Sequence, residues 1–144
     1  MEILNRKARY DYFIEDTIEA GIVLTGTEIK SLKEGKANIK DSYAIIRNGE
    51  IYLLNTHISS YEKGNRFTHE EDRTRKLLMH KKEILKLNNK VNLSGYTLIP
   101  LRIYLSHGLA KVEIGLCKGK HNYDKKETIK ERDIERYNQK HEKY

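Results

Sequence analysis

Asn48-Gly49 is the tightest local constraint in this chain. It stands between two apolar runs in "SYAIIRNGEIYLLNTHI". A two-residue type I′ turn needs positive φ at both central positions, and Asn-Gly accepts that backbone readily. The pair therefore predicts an antiparallel hairpin, and the rest of the first 117 residues follows suit. "YDYFIEDTIEAGIVLTG" reads as extended chain interrupted by Gly21. "GYTLIPLRIYLS" alternates, which predicts Leu101, Ile103 and Leu105 on one face. Pro100 lacks a backbone donor and belongs at a bulge or an edge. "AKVEIGLCKG" places Val112, Ile114 and Leu116 opposite Lys111, Glu113 and Gly115, and "SHGLA" makes a hairpin loop between these runs. "RTRKLLM" is short, basic and compatible with a strand, whereas "SSYEKGNRFTHEED" reads as an exposed loop.

Two short helices interrupt the strands. In "TGTEIKSLKEG", Thr25 precedes Glu28 by three residues, the spacing of a capping box, and Gly35 is the stop. Ile29 and Leu32 are expected to face the core. "HKKEILKLNNKVNLSG" sets Ile84 and Leu87 at helical spacing, with Asn and Gly ending it. About six strands with small helices between them predict a mainly β fold. The natural candidate is a small antiparallel barrel of the oligonucleotide-binding (OB) type over residues 1–118.

Residues 119–144, "GKHNYDKKETIKERDIERYNQKHEKY", are different. They hold only two aliphatic side chains, Ile129 and Ile134. On a helical wheel Lys125, Ile129, Arg132, Arg136, Lys140 and Lys143 share one face, and Asp124, Glu127, Glu131, Glu135 and Glu142 another. Such a tail is either a solvated helix laced by charge pairs or a segment that orders on a polyanion. Tyr123 and His121, beside Lys120, Lys125 and Lys126, suit base stacking with phosphate contact.

The chain has 28 Lys+Arg against 21 Asp+Glu, a formal charge of +7, which makes a polyanion the first partner to test. An anionic membrane surface is the competing reading, but no stretch has transmembrane length and the N-terminus lacks the apolar run of a signal peptide. The single cysteine, Cys117, suits a small buried hydrophobe in a reducing compartment, so a cytoplasmic protein is expected. The histidines at 57, 69, 80, 107, 121 and 141 have no metal-ligand spacing. No phosphate-binding Gly-rich loop or nucleophile elbow occurs. Neither an enzyme nor a cofactor or metal is expected; a nuclease using scattered carboxylates is the alternative of another class.

Several blocks, in order along nearly the whole chain, resemble one family. They are "NRKARYDYFIEDTIEAGIVLTGTEIKSLKEGKANIKDSYAIIRNGE", "RTRKLLMHKKEI", "GYTLIPLRIY", "KVEIGLCKGK" and "YDKKETIKERD". The chain is similar to the bacterial SsrA-binding protein, or small protein B, family. The resemblance implies an OB-type barrel that binds the tRNA-like domain of transfer-messenger RNA and brings it to stalled ribosomes for trans-translation, in place of the missing anticodon arm. It also implies a tail that enters the decoding centre and message channel, built of 16S ribosomal RNA, and elongation factor Tu in the delivery complex. A general OB-type translation protein is the second reading within binding modules.

By resemblance, Asn5, Glu19, Leu78 and Lys111 match positions linked to RNA recognition. Lys7, Arg9, Arg73, Arg75, Lys76 and Lys111 are candidate phosphate contacts. Glu19 would repel phosphate and should instead accept hydrogen bonds from base edges or ribose hydroxyls. The alternative for Glu19 is an ion pair with a neighbouring cation. Glu28 reads as a cap partner, and Leu78 as either core or a nucleotide contact. In the tail, Lys120, Tyr123, Asp124, Lys125, Lys126, Lys130, Arg132 and Arg136 are expected at the decoding centre and channel. The chain departs from the family pattern at Lys126 (usually arginine), Ser60 (usually proline) and His80 (asparagine in some members).

Overall fold

The computed structural model describes residues 2–60 and 70–120. The tail residues Tyr123 to Arg136 named above lie outside the described residues. So does most of the "SSYEKGNRFTHEED" loop.

In chain order the elements are β1 (Glu2–Leu4), α1 (Ala8–Asp11), β2 (Tyr12–Ile22), α2 (Gly26–Lys33), β3 (Ala37–Asn38), β4 (Tyr43–Arg47), β5 (Glu50–Leu54) and β6 (His57–Ile58). They continue with β7 (Arg75–Leu78), α3 (Lys81–Ser94), β8 (Thr97–Ser106) and β9 (Leu109–Gly119). Strands β8, β4, β5, β7, β2 and β9 pair in that order, and β9 pairs back to β8. The six strands thus close into a barrel, the strand number the sequence predicts. Closure leaves the barrel strands no long free edge to aggregate through. β1 lies along β8 outside the ring, and β3 with β6 makes a separate small ribbon.

The turns do what their residues dictate. Asn48 and Gly49 have φ of 52° and 78°, and His107 and Gly108 have 52° and 79°. Both hairpins therefore turn on two residues in the left-handed region. α2 begins with the expected capping box, Thr25 accepting from the Glu28 N–H and Glu28 accepting from the Thr25 N–H. α3 ends at Gly95, whose φ of 71° lets its N–H reach the Val91 carbonyl.

The barrel interior holds Ile22, Ile51, Leu53, Leu77, Leu98, Ile103, Val112 and Ile114, and α2 and α3 add Leu32, Ile84 and Leu87. A second cluster lies outside the sheet, where Ile99, Leu101 and Cys117 pack under Ala8 of α1. Three expectations change. The expected single face of Leu101, Ile103 and Leu105 is broken. The bulge between Pro100 and Arg102 shifts the register, so Leu101 joins the outer cluster while Ile103 points inward. α2 is turned so that Glu28, Ser31 and Leu32 are buried and Ile29 is only half-buried. β2 runs unbroken through Gly21, which pairs with Leu78 on one side and Lys111 on the other.

Candidate nucleic-acid interface

Strand register assembles the outer face of the barrel. Across β1, β8, β9, β2 and β7, one row reads Glu2, Tyr104, Lys111, Gly21, Leu78. The next outward row reads Leu4, Arg102, Glu113, Glu19. The row between them, Ile3, Ile103, Val112 and Ala20, faces the core. Pleating thus brings together three residues far apart in sequence, Glu19, Leu78 and Lys111.

Their surroundings define what this face can bind. Lys111 Nζ stands 3.5 Å from Glu19 Oε1, so the pairing expected as an alternative for Glu19 is present. Glu19 is exposed and Lys111 half-buried at the barrel surface, and such a surface pair is worth only about 0–1 kcal/mol. Arg102 bonds Glu113 Oε1 through Nε at 3.0 Å, meets Glu2, and lies 4.2 Å over the Tyr104 ring. Leu78 is 55% exposed and leans over bare Gly21, where an added Cβ would sit 3.5 Å from the Leu78 Cβ. The two rows carry three carboxylates against two cations. A face so balanced does not bind phosphate indiscriminately. It offers acceptors, an apolar shelf and a flat ring beside one lysine, the inventory for reading ribose hydroxyls and unstacked bases. Sequence reading missed Tyr104, Arg102 and Glu113; their alternation in β8 and β9 marked them as outward, but only register placed them beside Glu19.

The other expected phosphate contacts disperse. Lys76 points outward next to this face and lies 3.6 Å from Glu50 Oε1. Arg75 as a phosphate contact is overturned, because its side chain is completely buried. Its Nε donates to Glu28 Oε2 at 2.9 Å, Nη1 to the Thr56 carbonyl at 2.7 Å and Nη2 to the Glu71 carbonyl at 3.1 Å. Arg73 grips the same carboxylate, Nε to Oε2 at 2.9 Å and Nη2 to Oε1 at 2.7 Å. Burial alone would raise the Glu28 pKa, but Arg73, the Thr25 N–H and Arg75 outweigh it and hold the carboxyl below its usual value. Glu28 is therefore the cap partner expected and also the centre of a buried ion-pair cluster.

Asn5 is buried, with its amide donating to the Pro100 carbonyl at 2.9 Å and the Ile39 carbonyl at 3.3 Å. Its Oδ1 accepts from the Ala8 N–H at 3.2 Å, so the side chain fastens α1 to the barrel. Lys7 and Arg9 are exposed on this segment at the far end of β2, and Lys7 Nζ lies 3.6 Å from Asp11. Ser60 donates through both N–H and hydroxyl to Glu71 Oε2 at 2.8 Å, two bonds that a proline there could not make. Among the described residues no group of three His, Cys, Asp or Glu could hold a metal ion, and no helix is long and apolar enough to cross a membrane.

A family model described as SmpB protein matches residues 2–144. This chain belongs to the SmpB family. SmpB relatives share most of its sequence. It is 60% identical over 132 residues to the SsrA-binding protein of Shouchella clausii, covering 92% of this chain and 85% of the relative. To the SsrA-binding protein of Desulfitobacterium hafniense it is 58% identical over 137 residues, 95% and 88% of the two chains. The Staphylococcus aureus protein of the same name is 58% identical over 132 residues, 92% of this chain and 86% of that one. A solved SmpB structure, described as "tmRNA-SmpB: a journey to the center of the bacterial ribosome", superposes with a TM-score of 0.71. It is 49% identical and covers 83% of this chain, which covers 84% of it.

Proposed function

We propose that this chain is the RNA-binding adaptor of trans-translation. It binds the tRNA-like domain of transfer-messenger RNA and delivers it to stalled ribosomes, standing where the anticodon arm of a tRNA would stand. The observation that carries this is the meeting of Glu19, Leu78 and Lys111 on one open face of the barrel in a chain of the SmpB family. In this reading Glu19 accepts from ribose or base donors, Leu78 packs against an unstacked nucleotide, and Lys111 exchanges its partner Glu19 for a phosphate. Asn5 acts through the backbone it fastens, and Lys7, Arg9, Arg73 and Lys76 are flanking cations.

The proposal divides the chain into a barrel, residues 1–118, and a tail, 119–144. Lys120, Tyr123, Asp124, Lys125, Lys126, Lys130, Arg132 and Arg136 are assigned to the ribosomal decoding centre and message channel. Elongation factor Tu completes the delivery complex, no catalytic step or cofactor is assigned, and the site of action is the cytoplasm.

Competition binding tests the reading. The full chain should prefer the tRNA-like domain over random RNA of equal length; equal affinity would favour a general RNA-binding module instead. Lys111→Ala should weaken binding and lower the salt slope by about one unit. An unchanged slope would remove Lys111 from the phosphate contacts.

A further inference from the structure

For most of its length β2 has a strand partner on one side only. β9 pairs with it throughout, but β7 reaches it only at Gly21 and Ile22, because β7 ends at Leu78 and the chain turns into α3. The Val23 N–H donates to the Lys76 carbonyl at 3.0 Å. By the two-residue period of a strand, the Thr17 N–H points the same way, off the ladder with β9. Among the described residues no strand receives it, and it donates instead to Asp16 Oδ1 at 2.9 Å. α3 runs beside this open edge. Just past its end, the Tyr96 hydroxyl donates to Glu15 Oε1 at 2.6 Å. Strand edge and helix thus leave a slot, framed by Tyr96–Glu15 at one end and by β7 at the other.

The slot opens on a cavity of about 170 Å³. Its floor is aliphatic, with Leu87 of α3 facing Leu98, Ile114 and Leu116 of the barrel. A cavity of about 150 Å³ takes up benzene, so this one has space for a single large apolar side chain. Lys86 and Lys90 stand at the mouth on the helix side, and among the described residues neither is in an ion pair. α3 carries four lysines against one glutamate, an excess that favours an anionic partner. Nucleic acid fits poorly, because Asp16 and Glu83 reach the rim and the lining has no ring on which a base could stack. We propose that the slot binds an extended peptide of a partner protein by strand addition. The peptide backbone pairs with β2 at Thr17, one large apolar side chain fills the cavity, and acidic side chains beside it meet Lys86 and Lys90. Asp16 Oδ1 now holds the place that a peptide carbonyl would take. From Glu15 to Gly21 the edge runs roughly 20 Å at about 3.3 Å per residue, enough for a peptide of about six residues. The chemistry of the slot is independent of the RNA face proposed above.

The test titrates the full, isotope-labelled chain with acetylated and amidated heptapeptides, each with a central leucine, methionine, phenylalanine or serine between acidic residues. With at least one of the three apolar centres, amide shifts should concentrate at residues 15–18 and 83–90; with serine they should vanish. N-methylation of one alternate set of peptide amides should weaken binding about 10-fold or more, and of the other set should leave it nearly unchanged, because only one edge of the peptide faces β2. Lys86→Glu/Lys90→Glu, a pair of exposed changes, should lower affinity about 5-fold or more at an unchanged melting temperature. No shifts with any apolar peptide, equal binding of the serine peptide, or two methylated sets that behave alike would each overturn strand addition. So would N-acetylleucine amide binding as tightly as the leucine peptide, which would mark a small-molecule cavity, or a short oligouridylate shifting the same amides.

Discussion

Cys117 shows how a single side chain reports on its surroundings. It is fully buried against Leu101, Ile99 and Ala8, and burial pushes its thiol pKa up to about 11. An exposed thiol has a pKa near 8.5, so the native protein at pH 8 holds far less thiolate than the unfolded chain. Because the folded value is raised, this thiol's contribution to stability is complete below the unfolded pKa and declines as pH rises towards the folded one. Iodoacetamide at pH 8 should therefore modify the native protein at least about 100-fold more slowly than the urea-unfolded chain. Comparable rates would mean the outer cluster under α1 opens readily. At this scale the sequence was legible for Cys117 and misleading two strands away. "RKLL" in β7 offers two adjacent charges and two adjacent leucines, so alternation cannot say which parity is inward. The choice is made by Glu28, 47 residues upstream, whose buried carboxylate demands Arg75 and leaves Lys76 and Leu78 outside.

That same carboxylate ties two elements together. Glu28 closes the capping box of α2 and simultaneously receives Arg73 and Arg75, which flank and begin β7. Its Arg75 partner is also fully buried, so removing the charge strands a guanidinium in the interior, an imbalance that costs about 3–5 kcal/mol. Glu28→Gln should lower the unfolding free energy extrapolated from urea titration by that amount at pH 7. The folded Glu28 pKa is depressed, so its stabilisation is present above the unfolded carboxyl value, near 4.3, and is lost as pH falls through the folded value. The gap between wild type and Glu28→Gln should therefore narrow below about pH 4. A gap independent of pH would show that the ionised carboxylate is not what stabilises the pair. Elements defined by their own residues were readable in advance: the Asn48-Gly49 and His107-Gly108 hairpins, the α2 box, the Gly95 stop. β1, β3, β6 and α1 were not, because segments of two to four residues have no periodicity of their own. They are set by partners, as β1 is by β8 and α1 by the Asn5 amide.

At the scale of the whole molecule, charge decides how the two proposed parts divide their work. Residues 119–144 hold eight Lys+Arg and six Asp+Glu, a net of +2, so +5 of the total +7 belongs to residues 1–118. The tail is dense in charge yet of low net charge, whereas the barrel carries most of the long-range attraction for a polyanion. The barrel's cations are spread over strands that only the fold brings together. Deleting Tyr123–Tyr144 should therefore leave affinity for the isolated tRNA-like domain within about 2-fold and its salt slope unchanged, since that slope counts phosphates neutralised by the barrel. The same deletion should abolish tagging of nascent chains on stalled ribosomes, the step to which the proposal assigns the tail. Filter binding over a salt series and a reconstituted tagging assay measure the two. A truncated chain that lost RNA affinity would place tail residues on transfer-messenger RNA, and one that still supported tagging would leave the barrel alone sufficient to seat the complex.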